Sequence, residues 1–417
     1  VKVLITAKRF PPEAPATAVL GQELAEGLTR QGCQVTVAAG YPQHPYGRLF
    51  PGYQPKLVSV SRENGLRLIR GWHFIHPSPA TPVRALAMAS QCCSYFLSSL
   101  MAERPDVVIS FDGYPLLGPL ASALIARLSG AKLVSVIYDL YPDIAVELGH
   151  LTNPALILLA KRLEKLTYQL SHRVVVLSEG FRRTLIHDKG VAPEKIAVIP
   201  VWLDCKEIVP RPRDNPWRRE MGIGPEKFVV LYAGTIGLVS GATVVLEAAR
   251  QLTSQPDILV LLVGDGYGKE QVMTRARELG LDNLQFLPFQ PRERLSELQA
   301  TADVSLVSLG PGRGRTSVPS KVLGYMAAAR PVVASVDLDC DTAELIRQAQ
   351  CGRVTPAGDG QALAQAVLDY YQHPDERHAD GHCGHKFFLA NFEKEAILQQ
   401  YASLIGQLAS YDHLHAE

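Results

Sequence analysis

Short apolar runs rich in Val, Ile and Leu alternate with longer stretches of helical periodicity along almost the whole chain, and this alternation commits it to parallel, doubly wound α/β sheets. In the first half the strand candidates are Val1–Thr6, Gln34–Ala38, Val107–Ser110, Leu133–Tyr138, Arg173–Leu177 and Ile196–Ile199. Helical patterns at Ala18–Gln31, Leu116–Leu128, Pro154–Gln169 and Glu179–Lys189 lie between them. A second series follows the same grammar, with strands at Phe228–Ala233, Leu259–Val263, Leu284–Pro288, Val304–Ser308, Pro331–Ser335 and Gly352–Val354. Five prolines between Pro200 and Pro225 mark a linker between the two series. The chain therefore reads as two domains, 1–205 and 206–392, facing each other across a cleft, with a helix in 393–417 that returns toward the first. Ligands of such sheets bind beyond the carboxyl ends of the strands.

Composition narrows the partners. Forty-two Lys and Arg against forty-one Asp and Glu leave a net charge of +1, so no global field draws the chain to nucleic acid. Seven Cys without a C-x-x-C spacing fit neither a disulfide framework nor a ribbon-type zinc site, and suit a reducing cytoplasm. The opening run Val1–Ala7 is too short for the core of a signal peptide and reads as a strand. Ala85–Ala102 is a long uncharged stretch, interrupted by Ser90, Gln91, Ser94, Ser98 and Ser99. Leu86, Ala89, Cys93, Phe96, Leu97 and Leu100 recur in it at helical spacing, which predicts an amphipathic helix packed through that stripe rather than a membrane span. The alternative is a helix lying on the inner face of a membrane, with Arg62, Arg67, Arg70 and Arg84 nearby to meet anionic lipid. Pro42–Pro82 reads as a long functional loop with room for a small hairpin.

Three segments of the second half carry chemistry. Leu231-Tyr232-Ala233-Gly234-Thr235-Ile236-Gly237 runs from a strand through glycines to Gly241 and a helix, so a bulky anion can approach the backbone closely at a helix start. A plain βα turn has the same appearance, and neither G-x-G-x-x-G nor a P-loop is present. Gly264-Asp265-Gly266 turns after the next strand, where it would lie near phosphates or ribose; Asp265 is equally suited to capping a helix. Gly310 to Lys321 forms a basic loop with Arg313 and Arg315 that ends in Pro319, Ser320 and Lys321 at a helix start. A cation in a first helical turn opposes the macrodipole, so Lys321 is a poor local choice unless an anion sits nearby. In the first half Asp112, Asp139 and Asp143 follow strand ends, where carboxylates orient hydroxyls or cap helices. His378, His382, Cys383 and His385 match no common metal spacing and read as part of a surface loop.

In order and spacing, these segments resemble the GT-B glycosyltransferases of family four, the retaining, nucleotide-sugar-dependent enzymes of bacterial polysaccharide assembly. Phe10-Pro11-Pro12-Glu13 resembles the family's opening F-P-P-E, and Tyr138-Asp139-Leu140-Tyr141-Pro142-Asp143 its D-L-W-P-D segment. Tyr232-Ala233-Gly234, Val263-Gly264-Asp265-Gly266, Phe286-Leu287-Pro288-Phe289, Ala302-Asp303-Val304 and Val318-Pro319-Ser320-Lys321 follow in family order. There are departures. Thr316 and Gly324 stand where many members carry two Glu, and Thr235, Ile236 and Ser240 occupy the region of a diphosphate-binding Arg and Lys. Tyr138 replaces a His, and Ala14, Pro15 and Ala16 replace a Gly pair.

The resemblance implies two Rossmann-like domains and transfer of a hexosyl or N-acetylhexosaminyl group from a nucleoside diphosphate sugar such as a UDP-sugar to a saccharide or lipid-linked acceptor. Lys321 and the Gly234–Gly241 turn would stabilise the departing diphosphate, with no metal and no cofactor required. Asp139 would serve the acceptor or the sugar's developing positive charge, with Glu13, Asp112 and Asp143 on the acceptor side. Gly234, Thr235, Gly237, Gly264, Asp265, Arg315, Pro319 and Ser320 would surround the donor, whose base lies against Leu287–Gln290 beside Phe289. The competing readings are a nucleotide-sugar 2-epimerase and a non-catalytic nucleotide-sugar-binding protein.

Overall fold

The computed structural model describes the chain except residues 14, 45–46, 79, 112–115, 148, 237–240, 267, 315–319 and 411–417, and the side chains of Thr81, Pro82 and Arg84. It divides into two compact units, one formed by Val1–Pro200 with the stretch from Leu398 onward, the other by Val201–Ile397.

The first unit is built on β1 (Lys2–Ala7), β2 (Gln34–Gly40), β3 (Val58–Glu63), β4 (Leu66–Gly71), β5 (Val107–Ser110), β6 (Lys132–Ile137), β7 (Arg173–Val176) and β8 (Ile196–Val198). They form one sheet in the order β3-β4-β2-β1-β5-β6-β7-β8, parallel except where β3 meets β4. Helices cover both faces, so a central strand such as β1 is buried from Val3 to Ala7 without alternation.

Two expectations for this unit are corrected. The segment read as a long loop with room for a small hairpin holds that hairpin, β3 and β4, but β4 is also a full member of the sheet, paired with β2. Its charged Arg70 is buried because the guanidinium donates to the carbonyls of Gly40 (2.9 Å) and Pro11. The helix Thr81–Leu100 forms, but its leucine stripe faces outward: Leu86, Leu97 and Leu100 are exposed, whereas Gln91, Ser94 and Ser98 are buried. Gly71 explains the inversion. A side chain there would stand 2.1 Å from Ser94 Oγ and 2.6 Å from Ser98 Oγ, so strand and helix meet through small groups that a leucine would force apart.

The second unit carries β9 (Phe228–Ala233), β10 (Ile258–Val263), β11 (Leu284–Leu287), β12 (Val304–Ser308), β13 (Val332–Val336) and β14 (Gly352–Pro356). Their order is β11-β10-β9-β12-β13-β14, parallel throughout. Side chains alternate between two cores: Val229 and Leu231 join Leu261 and Val263 on one face, Val230 and Tyr232 join Val260 and Leu262 on the other. The winding reverses between β9 and β12, which is where ligands of doubly wound sheets bind. The proline-rich stretch is not a loose tether. Its helix Pro216–Glu220 is capped by Asn215 and buries Trp217, whose Nε1 donates to Gln290 Oε1 at 3.0 Å. The histidine cluster lies on the helix Pro374–Asn391 rather than in a loop. That helix tolerates Gly381 and Gly384 because side chains there would meet Ala329 O at 2.5 Å and Cys351 Cβ at 2.7 Å.

Candidate functional site

The carboxyl end of β9 meets that of β10 with Ala233 opposite Val263, which brings Gly234 and Gly264 side by side. The Gly234 amide donates to Val263 O and the Gly264 amide to Leu287 O, each at 2.9 Å. Gly264 has φ +150°, and a Cβ on it would stand 1.9 Å from Gly234 O, so only glycine fits this turn. Ile236 N donates to Asp265 O at 2.9 Å, and the Asp265 carboxylate accepts from Gly266 N at 2.8 Å. Asp265 thus closes its own turn; the next helix, Lys269–Glu278, is capped from Gly268. The amides of Gly234, Ile236, Gly264 and Gly266 are spent on these bonds, so a phosphate at this edge must draw on other donors. The helix Ala242–Gln251 begins at Gly241, φ +68°, on the same edge.

Two cations reach these glycines: Lys269 Nζ donates to Gly264 O at 2.8 Å, and Lys321 stands beside Gly234. Lys321 opens the helix Lys321–Ala327, and its Cε and Nζ are each 3.3 Å from where a Gly234 Cβ would stand. The Lys321 ammonium lies 3.7 Å from the centre of the Tyr232 ring, a cation–π contact that compensates part of its unfavourable position at a helix start. One turn later the buried Tyr325 hydroxyl accepts from Ala233 N at 2.9 Å and donates to Ala233 O at 3.3 Å, fastening the helix to the end of β9. Burial pushes that phenol upward from its ordinary pKa, so it stays a neutral donor and acceptor. No carboxylate among the described residues pairs with Lys321. Ser320 is exposed just before the helix, Thr235 is exposed beside the first turn, and Phe289 is exposed two residues beyond Leu287, which closes β11.

Asp337, which the sequence gave no reason to single out, orders the basic loop. Its Oδ1 accepts from Gly312 N at 3.0 Å and its Oδ2 from Gly314 N at 3.1 Å, fixing the chain just before the segment that leads to Lys321. Beside Gly324, a side chain would meet the Gln299 amide at 2.7 Å and Ile208 Cδ1 at 3.3 Å, so a glutamate there would have to displace Gln299. Gly237, Arg315 and Pro319 lie outside the described residues.

In the first unit Asp139 follows β6 by two residues and is half-buried. Its carboxylate has no hydrogen-bond partner among the described residues, and burial raises its pKa. The neighbouring Tyr138 stacks edge-on against Phe111 with centroids 5.2 Å apart. Asp143 heads the helix Asp143–Glu147 and pairs with Lys189 at 2.5 Å; Lys189 also holds Glu164 at 3.0 Å. Glu13 is buried and accepts from the backbone of His44 at 2.8 Å, Gln43 at 3.1 Å and Phe10 at 3.4 Å, which ties the loops after β1 and β2 together. Both carboxylates are engaged, and Asp139 is the one left facing no partner. Asp112 lies outside the described residues. Among the described residues no cluster of His, Cys, Asp and Glu is arranged to hold a metal, and no helix is long and apolar enough to cross a membrane.

Known proteins share this fold. The family model described as Glycosyl transferase 4-like domain matches residues 16–202, and that described as Glycosyl transferases group 1 matches residues 214–384. A protein of Escherichia coli strain K12, provisionally named colanic acid biosynthesis glycosyl transferase WcaI, is 28% identical over 356 residues, covering 83% of this chain and 86% of its own. Sucrose-phosphate synthase from Thermosynechococcus elongatus superposes with a TM-score of 0.77 at 18% identity over 98% of this chain and 99% of that one. HepE of Anabaena, solved with UDP and glucose, does so with 0.68 at 16% identity over 97% and 99%. Likeness at such identities shows the fold alone. Fold and family models together define a glycosyltransferase of GT-B architecture, two Rossmann-like halves in one chain. The chain belongs to the family-four-like glycosyltransferases.

Proposed function

We propose that the protein transfers a hexosyl or N-acetylhexosaminyl group from a nucleoside diphosphate sugar to an acceptor hydroxyl in polysaccharide or glycolipid assembly, with retention at the anomeric carbon and without a metal ion. The observation that carries this reading is Lys321, whose ammonium is held at the Gly234 turn on the edge where the strand order reverses. Negative charge develops on the diphosphate as the sugar leaves, and a cation already in place stabilises it without reorganisation. In a retaining reaction the departing phosphate takes the acceptor proton as the hydroxyl attacks the same face. Likeness to WcaI supports polysaccharide assembly, and likeness to HepE supports a UDP-linked donor. Incubation with a panel of nucleotide sugars and an acceptor extract tests the reading. It predicts a glycosylated product; a 2-epimer formed without acceptor, or no donor turnover at all, selects one of the two competing readings.

Asp139 is assigned to the acceptor or to the positive charge of the reacting sugar. Asp139→Asn is expected to lower turnover while leaving nucleotide affinity unchanged, since the phosphate motifs belong to the other unit. The same variant should be more stable at neutral pH. Burial raises the folded pKa, so the wild type is favoured while Asp139 is protonated, below the unfolded value of about 3.9, and loses that stability as pH rises through the folded pKa. Thermal melts from pH 3 to 8 should show the Asn variant's advantage growing with pH. Equal losses of turnover and nucleotide affinity would instead make Asp139 structural.

The acceptor is assigned to a membrane surface, with the protein peripheral at its cytoplasmic face. The helices Thr81–Leu100, Leu117–Ser129 and Pro154–Leu170 pack side by side in the first unit and expose Leu86, Leu97, Leu100, Leu124, Leu128, Leu156 and Leu159. Their one acidic residue, Glu164, is buried against Lys189, whereas Arg127, Lys161, Arg162 and Lys165 are exposed. This apolar and basic face suits anionic lipid, each basic residue being worth about 1 kcal/mol near such a surface. The buried Arg70 takes no part. Flotation with anionic vesicles is expected to carry the protein at low salt and less of it at physiological salt. Leu124→Glu with Leu128→Glu should abolish it, and equal flotation by that variant would move the contact elsewhere.

A further inference from the structure

At the amino end of the second unit's sheet lies a group of guanidiniums that glycosyl transfer does not use. Six strand residues at about 3.3 Å each separate this end from the glycine turns, so the two edges are roughly 20 Å apart. Asp303 precedes β12 and is buried. Its carboxylate accepts from Val229 N at 2.8 Å and from Arg213 Nη1 at 2.9 and 3.1 Å. Arg377 Nη2 stands 3.8 Å from the same carboxylate. Arg213, Arg330 and Arg377, with Asp303 and His378, line a cavity of about 230 Å³. Liquid water occupies roughly 30 Å³ per molecule, so there is room for a phosphate group and part of its ester.

The charges do not balance. Three guanidiniums against one carboxylate leave a formal +2 in a partly buried site. Arg330 and Arg377 are held below the ordinary arginine pKa by burial, with Asp303 opposing the shift and repulsion from Arg213 adding to it. Some donors are committed: Arg330 Nη2 reaches the carbonyls of Arg211 and Ala300, and Arg377 Nη1 reaches Tyr370 O. Arg330 Nε is buried with no hydrogen-bond partner among the described residues. Uncompensated buried charge is costly, and arginine forks match oxyanions.

We propose that this cavity binds a phosphate dianion, free or as the end group of a phosphate monoester. A dianion cancels the formal +2, which a halide or a single carboxylate leaves half uncompensated. Because the site lies at the edge opposite the donor turns, it is independent of the reading of Lys321.

Titration calorimetry of the full chain with inorganic phosphate, at constant ionic strength and with chloride as control, tests this; glucose 1-phosphate is the second arm. Saturable phosphate binding is expected in the wild type, persisting in Lys321→Ala and weakened at least tenfold in Arg377→Gln. Since Arg377 also stacks over Phe228 at 5.1 Å, the exposed rim variant His378→Glu provides a substitution that leaves that packing intact, and it should weaken binding similarly. Tighter binding of glucose 1-phosphate identifies a monoester as the ligand, and binding of inorganic phosphate alone identifies the free ion. The proposal is overturned if the wild type shows no saturable binding, or if binding disappears in Lys321→Ala and survives in Arg377→Gln and His378→Glu.

Discussion

Lys321→Ala is expected to cut turnover roughly a hundred- to a thousand-fold, about 2.7–4 kcal/mol of transition-state stabilisation, as when an enzyme loses one preorganised donor to a developing negative charge. Stability should change much less. The Lys321 ammonium rests over the Tyr232 ring, and such a contact is worth about 0.5–1 kcal/mol when partly exposed. That difference separates the catalytic role from a merely structural one. A lysine kept for its cation–π contact would lose stability and little turnover, whereas a lysine aimed at the diphosphate loses turnover with the fold intact. Tyr232→Phe serves as a control: it keeps the ring beneath Lys321 and removes only the hydroxyl's 2.8 Å bond to Thr235 O. Single-turnover rates and thermal melts on the three proteins decide the matter, and a Lys321→Ala enzyme with unaltered turnover for every accepted donor removes Lys321 from the mechanism.

The parallel sheets were legible because their signals are local. A strand buried on both faces is a continuous apolar run, and β1, β9 and β10 show that pattern directly. What escaped was set by partners far away in the chain. Arg67 and Arg70 break the apolar run of β4, and only the carbonyls of Gly40 and Pro11 explain how Arg70 is buried. Periodicity marked the stripe on Thr81–Leu100 but not which side faces the sheet, because that was decided by the missing side chain of Gly71. Glycine's low helix propensity hid the helix Pro374–Asn391, whose glycines are required by contacts with Ala329 and Cys351. At the site, Lys321 was legible as a local electrostatic conflict. Asp337 was not, since its role is to hold amides 23 and 25 residues earlier. Asp143 reads in the sequence as either a cleft-facing carboxylate or a helix cap, and its pairing with Lys189, 46 residues on, is not visible there.

Gly264→Ala is expected to disrupt both the stability of the second unit and donor binding. Two costs combine. A φ of +150° belongs to a region that only glycine enters readily, and forcing another residue there costs of order 1–3 kcal/mol. The added methyl would also stand 1.9 Å from Gly234 O, a backbone atom with nowhere to go because the Gly234 amide is itself bonded to Val263 O. Relieving that overlap requires the two turns to separate, at a further cost of about 1–3 kcal/mol typical of overpacking. Gly280→Ala isolates the backbone part, since Gly280 has φ +63° with open space where its Cβ would be. It should cost about 1 kcal/mol and leave donor binding alone. Gly264→Ala should lose about 2–6 kcal/mol and, below its melting temperature, bind a nucleotide sugar far more weakly, because Gly234 and the ammonium of Lys321 would move with the displaced turn. Denaturant unfolding together with donor titration measures both effects, and a Gly264→Ala protein as stable and as tight-binding as Gly280→Ala would show that the close approach of the two glycine turns does not hold the donor site together.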